Sequence, residues 1–259
     1  MKKGKVNRFG LPRYVPADIA REVRQRCGFG CVICGKAFYD IEHFSPDFKD
    51  ATEHNPSGMT LLCMQCNQKR ARGTLSVETV VRANASPKCL SDGFASEIFD
   101  IGYEELSIVF AGVTFKNCRN LIAINNEPIL SIARPIQHGM PFLLSGVFND
   151  ESGREILRIN ENQFSVISES WDVEVKGCSI TVRSALGDVQ LVLRVVPPKL
   201  VVVEKIKMRF KSIFLDGNED ELRISTDWGK GWNKFYGCNL DGCETGIAIN
   251  DGVANDSTY

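Results

Sequence analysis

Residues 31–67 concentrate the side chains that could do chemistry. Cys31-Val-Ile-Cys34 is followed by Ile41-Glu42-His43-Phe44-Ser45-Pro46 and then by Leu61-Leu62-Cys63-Met-Gln-Cys66-Asn67-Gln68-Lys69. Two Cys-x-x-Cys knuckles with 28 residues between them can close a tetrahedral four-thiolate zinc site, which staples a small fold short of core. The interval is longer than a simple zinc ribbon needs and leaves room for a functional insert. Within it, His43 can act as a general base, its unperturbed pKa being near 6.5. Glu42 offers a hard carboxylate and Asn67 a carbonyl oxygen, donors that suit Mg²⁺ or Mn²⁺. Neighbours on a strand face opposite ways. Glu42 and His43 can therefore share a task only at a twisted strand end, or through a cation and water that bridge the two faces.

Glu-His-Phe-Ser-Pro resembles the acidic-His-hydrophobic-x-Pro motif of the HNH, or ββα-metal, endonucleases, and Cys66-Asn67-x-Lys69 resembles that family's closing Cys-x-x-Cys-His/Asn-x-x-Lys. The resemblance covers residues 17–75. It implies a β-hairpin around residues 37–62 and a helix beginning near Asn67. It also implies Glu42 and Asn67 as ligands of a catalytic Mg²⁺ or Mn²⁺, His43 as the base, and Lys69, Arg70 and Arg72 facing phosphates. Cys31, Cys34, Cys63 and Cys66 would hold structural Zn²⁺ and do no chemistry. The family's central Asn, five residues before the third cysteine, is Gly58 here. Asn55 or His54, the latter otherwise read as a solvated loop residue, must then buttress the base, or the chain is a descendant that binds without cutting.

The elements that must position these groups are partly legible. Pro16, then Ile19, Ala20, Val23 and Cys27 at helical spacing, then Gly28, predict a short amphipathic helix before the first knuckle. Residues 1–15, basic and broken by Gly10 and Pro12, read as an arm. A helix is predicted over Ser76–Arg82, and the chain changes character across Ala83–Gly93. Later runs alternate with period two: Trp171, Val173, Val175; Ile180, Val182; Val189, Leu191, Leu193, Val195. Asn149-Asp150-Glu151-Ser152-Gly153, Lys176-Gly177 and Leu186-Gly187-Asp188 break them. The expected fold class is α+β. An HNH domain with structural zinc would span 16–90, followed by a mainly antiparallel β domain, sandwich- or barrel-like, over 91–259.

Composition bounds the partners. With 43% hydrophobic and 24% charged residues, the chain reads as folded and not as a membrane protein, since even Leu191–Val203 is interrupted by Arg194, two prolines and Lys199. No secretory signal is visible at Met1, and a cytoplasmic protein is expected. Residues 1–88 carry 15 Lys and Arg against 8 Asp and Glu, whereas 89–259 carry 16 against 24. A basic first module suits a polyanion, with DNA the expected partner. The acidic remainder suits a protein partner or self-association into a homo-oligomer. Cys89, Cys118, Cys178, Cys238 and Cys243 read as buried free thiols. Trp228 and Trp232 read as the rim of a β core, and His138 carries no signal. The leading expectation is a metal-dependent HNH endonuclease of the bacterial or phage defence and restriction kind. The alternative is a zinc-knuckle nucleic-acid-binding adaptor with a β interaction domain.

Overall fold

A computed structural model describes residues 6–135, 137 and 139–250. His138, residues 1–5 of the predicted arm and the polar tail 255–259 lie outside the described residues. The protein is a mixed α+β chain, most of it in strands of three sheets. It divides into two compact units: residues 1–97 with 165–176, and residues 98–164 with 177–259.

In the first unit, helix α1 (Ala17–Cys27) runs from Pro16 to Gly28. Gly28 takes a left-handed φ of 70°, and its N–H closes on the Arg24 and Gln25 carbonyls, a termination that glycine allows without a Cβ penalty. The face that α1 buries is Ala20, Val23, Arg24 and Cys27. Strands β1 (Asp40–His43) and β2 (Met59–Leu62) pair antiparallel, with Glu42 opposite Thr60 and His43 opposite Met59. Helix α2 (Met64–Ala71) follows at once. It begins at Met64 rather than near Asn67, because the Cys63 thiol caps it by accepting the Cys66 N–H. Val23, Val32, Met59, Leu61 and Leu62 form a fully buried core around these elements.

Helix α3 (Val77–Ala85) is capped by the Ser76 hydroxyl and outlasts the predicted Arg82 end. The expected break beyond it holds a further short helix, α4 (Lys88–Asp92), closed by Gly93 at φ 84°, before β3 (Phe94–Ile98). Residues 6–15 are not a free arm. Asn7 donates through Nδ2 to the Phe48 and Ala51 carbonyls at 2.6 and 2.7 Å, and Arg8 pairs with Asp50.

The first unit also claims a distant segment that a boundary near residue 90 leaves out. Arg24 is buried on α1 and needs a buried anion, which Asp172 supplies in a bidentate pair at 2.8 Å on both arms. The two side chains are 7% and 1% exposed, so water cannot replace either partner. Gln25 donates to the Trp171 carbonyl and Arg21 lies over the Trp171 ring, which fastens the same segment. Breaking a buried pair from one side leaves an uncompensated charge. Arg24→Ala is therefore expected to destabilise the first unit by about 3–5 kcal/mol, read as the loss in unfolding free energy in urea. A change below 1 kcal/mol would remove this pair as the fastener.

In the second unit the chain is almost wholly strand: β4 (Ser107–Phe110), β5 (Val113–Lys116), β6 (Asn120–Ile124), β7 (Glu127–Ala133), β8 (Leu143–Asn149) and β9 (Glu155–Asn160). After β10 (Gln163–Ile167) and β11 (Asp172–Lys176) come β12 (Ser179–Ala185), β13 (Asp188–Val196), β14 (Leu200–Phe210), β15 (Ile213–Gly217) and β16 (Glu221–Ser225). The chain ends with β17 (Asn233–Tyr236), β18 (Asn239–Asp241) and β19 (Thr245–Ile249). Strands β12 to β17 form an antiparallel series in chain order, as do β6 to β9. Burial alternates along them as the period-two pattern requires, for example Leu191, Leu193 and Val195 inward on β13. The predicted run from Trp171 to Val175 is strand from Asp172 onward, but it belongs to the first unit. The antiparallel expectation misses three parallel pairings: β4 with β14, β18 with β5 and β19 with β6. Long-range parallel pairing leaves no mark in a local pattern.

Other expectations also change. Cys89 and Cys118 are buried as predicted, but Cys178 is exposed and Cys238 and Cys243 are half-buried. Trp228 is 64% exposed and Trp232 38%, and the Trp228 ring meets Phe214 edge-on. Arg223 lies over the Trp232 ring.

Candidate functional site

The four knuckle cysteines converge. Their sulfurs all lie within 4.8 Å of one another, with Cys34 to Cys63 at 3.6 Å and Cys66 to Cys34 at 3.8 Å. A tetrahedral zinc with bonds of about 2.3 Å sets its sulfurs about 3.8 Å apart, so the cluster is compatible with structural Zn²⁺. Each knuckle is shaped by backbone: Gly35 N–H returns to the Cys31 carbonyl at 2.8 Å, and Cys63 and Cys66 span the first turn of α2. Burial pushes the Cys34 thiol up to about 11 and the Cys66 thiol upward as well. A coordinated cation reverses that preference by favouring the thiolates. Among the described residues this is the one group of three or more His, Cys, Asp or Glu with metal-binding geometry.

Glu42 and His43 lie at the end of β1, opposite Thr60 and Met59, and turn different ways. Glu42 faces α2, where the Asn67 amide nitrogen meets its carboxylate at 2.6 Å. Burial raises its pKa, partly offset by the Asn67 hydrogen bond. His43 is buried and turns to the loop between the strands: its Nε2 lies 3.2 Å from His54 Nδ1, and its ring packs on Phe48. Burial lowers its pKa, with smaller contributions from His54 and Arg13. A lowered pKa favours the neutral ring, the form in which it can accept a proton.

One ion pair joins the two faces. Arg70 on α2 pairs with Asp47 in the loop, joining the side that carries Glu42 to the side that carries His43. The charge of Arg13, whose guanidinium lies over the Phe48 ring, acts on both His43 and Glu42.

Of the predicted cations, Lys69 and Arg72 are exposed at the end of α2. Arg70 is instead engaged with Asp47, its side chain only 15% exposed. Sequence reasoning gave Arg13 no place at the site, because nothing local marks one arginine of a basic stretch. His54, read as solvated, is half-buried with its Nε2 enclosed, and it is the residue that meets His43. Asn55, the other candidate buttress, caps its own turn by accepting Ser57 N–H.

Gly58 has a steric reason. A Cβ there would lie 2.1 Å from the Ser45 carbonyl oxygen, while the Gly58 carbonyl accepts both Phe44 and Ser45 N–H. The close approach is what bends the chain at the end of β1. Gly58→Ala is expected to cost about 1–3 kcal/mol, the usual range for overpacking, and to disturb His43 first. A chemical denaturation midpoint unchanged from wild type would sink that account.

Compared with known protein families, with curated proteins and with solved structures, the chain matches none of them.

Proposed function

We propose that the first unit is an HNH-type, ββα-metal endonuclease module that hydrolyses phosphodiesters in nucleic acid, with DNA the preferred substrate class. The second unit would be its sandwich-like β domain for targeting, regulation or assembly. The observation that carries the reading is the arrangement at the end of β1: a buried histidine meeting a second histidine, and a carboxylate meeting an asparagine on α2, in a unit stapled by four converging cysteines.

His43 is the base. With its proton on Nε2, donated to His54 Nδ1, the ring keeps Nδ1 free of hydrogen, and that nitrogen takes the proton from water as it attacks phosphorus. His54 is a positioning residue that fixes the ring and its tautomer. Glu42 and Asn67 would hold a hard divalent cation, because a carboxylate and an amide oxygen side by side are the donor types such an ion prefers. Turning the Asn67 amide over presents its oxygen in place of its nitrogen. When bound, Mg²⁺ or Mn²⁺ would neutralise phosphate charge and stabilise the leaving oxygen. Arg13, Lys69 and Arg72 attract and orient the backbone phosphates, a screened, salt-sensitive contribution. Arg70 holds the loop through Asp47 and is not assigned to phosphate.

The test is cleavage of supercoiled plasmid by the zinc-loaded protein with and without Mg²⁺ or Mn²⁺, against His43→Ala. Metal-dependent nicking or linearisation lost in the variant supports the nuclease. Binding without cleavage by either protein supports the alternative, a zinc-knuckle adaptor.

A further inference from the structure

The last strands of the second unit hold a pair of thiols in register. Strands β18 and β19 run parallel to β5 and β6 with a constant offset: Asn239 faces Thr114, Asp241 faces Lys116 and Thr245 faces Asn120. The same offset carried through the joint between the strands sets Cys243 opposite Cys118. Both chains turn there through a left-handed residue, Asn117 at φ 52° and Gly242 at φ 71°. Gly242 N–H donates to the Lys116 carbonyl and Arg119 N–H to the Cys243 carbonyl, each at 3.1 Å. The joint is bracketed by the Asn117–Asp241 hydrogen bond at 3.0 Å and the Arg119–Glu244 ion pair at 3.3 Å. The Cys118 thiol donates to the Lys116 and Leu240 carbonyls at 3.2 and 3.5 Å, and the Cys243 thiol to the Asp241 carbonyl at 3.6 Å. Neighbouring strands lie about 4.8 Å apart, inside the range of about 4.4–6.8 Å that a disulfide needs between Cα atoms.

We propose that Cys118 and Cys243 form a reversible dithiol–disulfide couple that locks strands β18 and β19 onto β5 and β6. Cys118 is 4% exposed whereas Cys243 is half-buried, so Cys243 is the thiol that meets a reagent. A cavity of about 440 Å³ opens on both, lined also by Glu105, Arg119, Arg134 and Glu244. Its mixed charges admit a small ionic disulfide of the glutathione class. The Cys243 thiolate attacks one sulfur of that disulfide, whose S–S bond breaks and whose other half leaves as a thiol. Cys118 then gives up its proton and attacks the Cys243 sulfur, releasing the second small thiol. The protein loses two electrons and two protons, and the small disulfide gains them. Burial and the neighbouring thiol raise the Cys118 pKa, which fits its part as the resolving group. Cys238, one residue before β18, falls opposite Val113 in this register and has no such partner across the pairing.

The full-length, zinc-loaded protein equilibrated in graded reduced and oxidised glutathione tests this. After acid quench, alkylation and digestion, mass spectrometry should find a Cys118–Cys243 linked peptide that is two hydrogens lighter than its parts and is released by reductant. The link should survive Cys238→Ser, vanish in Cys243→Ser and raise the thermal midpoint of the oxidised protein by several degrees while zinc stays bound. Cys243 is half-buried, so its serine variant keeps the test available if Cys118→Ser fails to fold. Full alkylation of both thiols at the most oxidising ratio would overturn the proposal. So would glutathione adducts without a link, or a link to Cys238.

Discussion

Removing zinc is expected to unfold the first unit. Four thiolates on two knuckles tie β2 and α2 to the loop after α1, and the core they surround is small: Val23, Val32, Met59, Leu61 and Leu62 are its fully buried aliphatic members. Structural zinc in small domains contributes about 10–16 kcal/mol of apparent binding free energy at neutral pH, more than the entire stability of many domains. Chelation, or Cys66→Ser, should therefore abolish the helical signal of α1, α2 and α3 together and release one zinc per chain, as seen by circular dichroism and a colorimetric zinc dye. Buried thiols left without a cation also regain their protons, so the loss should not reverse until zinc is returned. Retention of that helical signal in protein shown to be free of zinc would mean the cluster is ornamental to folding.

His43→Ala is expected to lower metal-dependent cleavage by about 10²–10⁴-fold, the contribution of a positioned general base, with zinc content and unfolding midpoint close to wild type. The ring touches His54 and Phe48, so its loss leaves a space beside the loop and not a break in the staple. His54→Ala should fall between the two, roughly 10–100-fold down, the scale on which a supporting hydrogen bond to a functional histidine is felt. Equal rates for wild type and His43→Ala would remove His43 as the base. A loss of zinc in either variant would mean the histidines are structural.

Local chemistry was legible and contact between distant segments was not. Helix α1 could be read because Pro16 and Gly28 punctuate it and its apolar residues recur at one face. The zinc cluster could be read because four cysteines in two pairs have few other uses in one chain. Helix α4 was missed for an instructive reason: Pro87 and Gly93, residue types that ordinarily interrupt a helix, start and end a short one. Asp172 lay beyond reach, since nothing around it says that a buried arginine 148 residues earlier needs its carboxylate. His54 was hidden in the same way, because a loop histidine becomes a partner for His43 only once Gly58 has drawn the ends of β1 and β2 together. Parallel pairing of β18 and β19 with β5 and β6 likewise depends on a register that no segment contains by itself.

The dependence of Arg24 on Asp172 also has a consequence in time. A ribosome adding about 5–20 residues per second completes the two knuckles and the Glu42–His43 pair long before it reaches position 172. Until β11 has emerged, Arg24 on α1 has no carboxylate in place to pair with. The module proposed to cut nucleic acid is therefore expected to mature only after much of the other unit has been made, and a message truncated before residue 172 would yield an inert fragment.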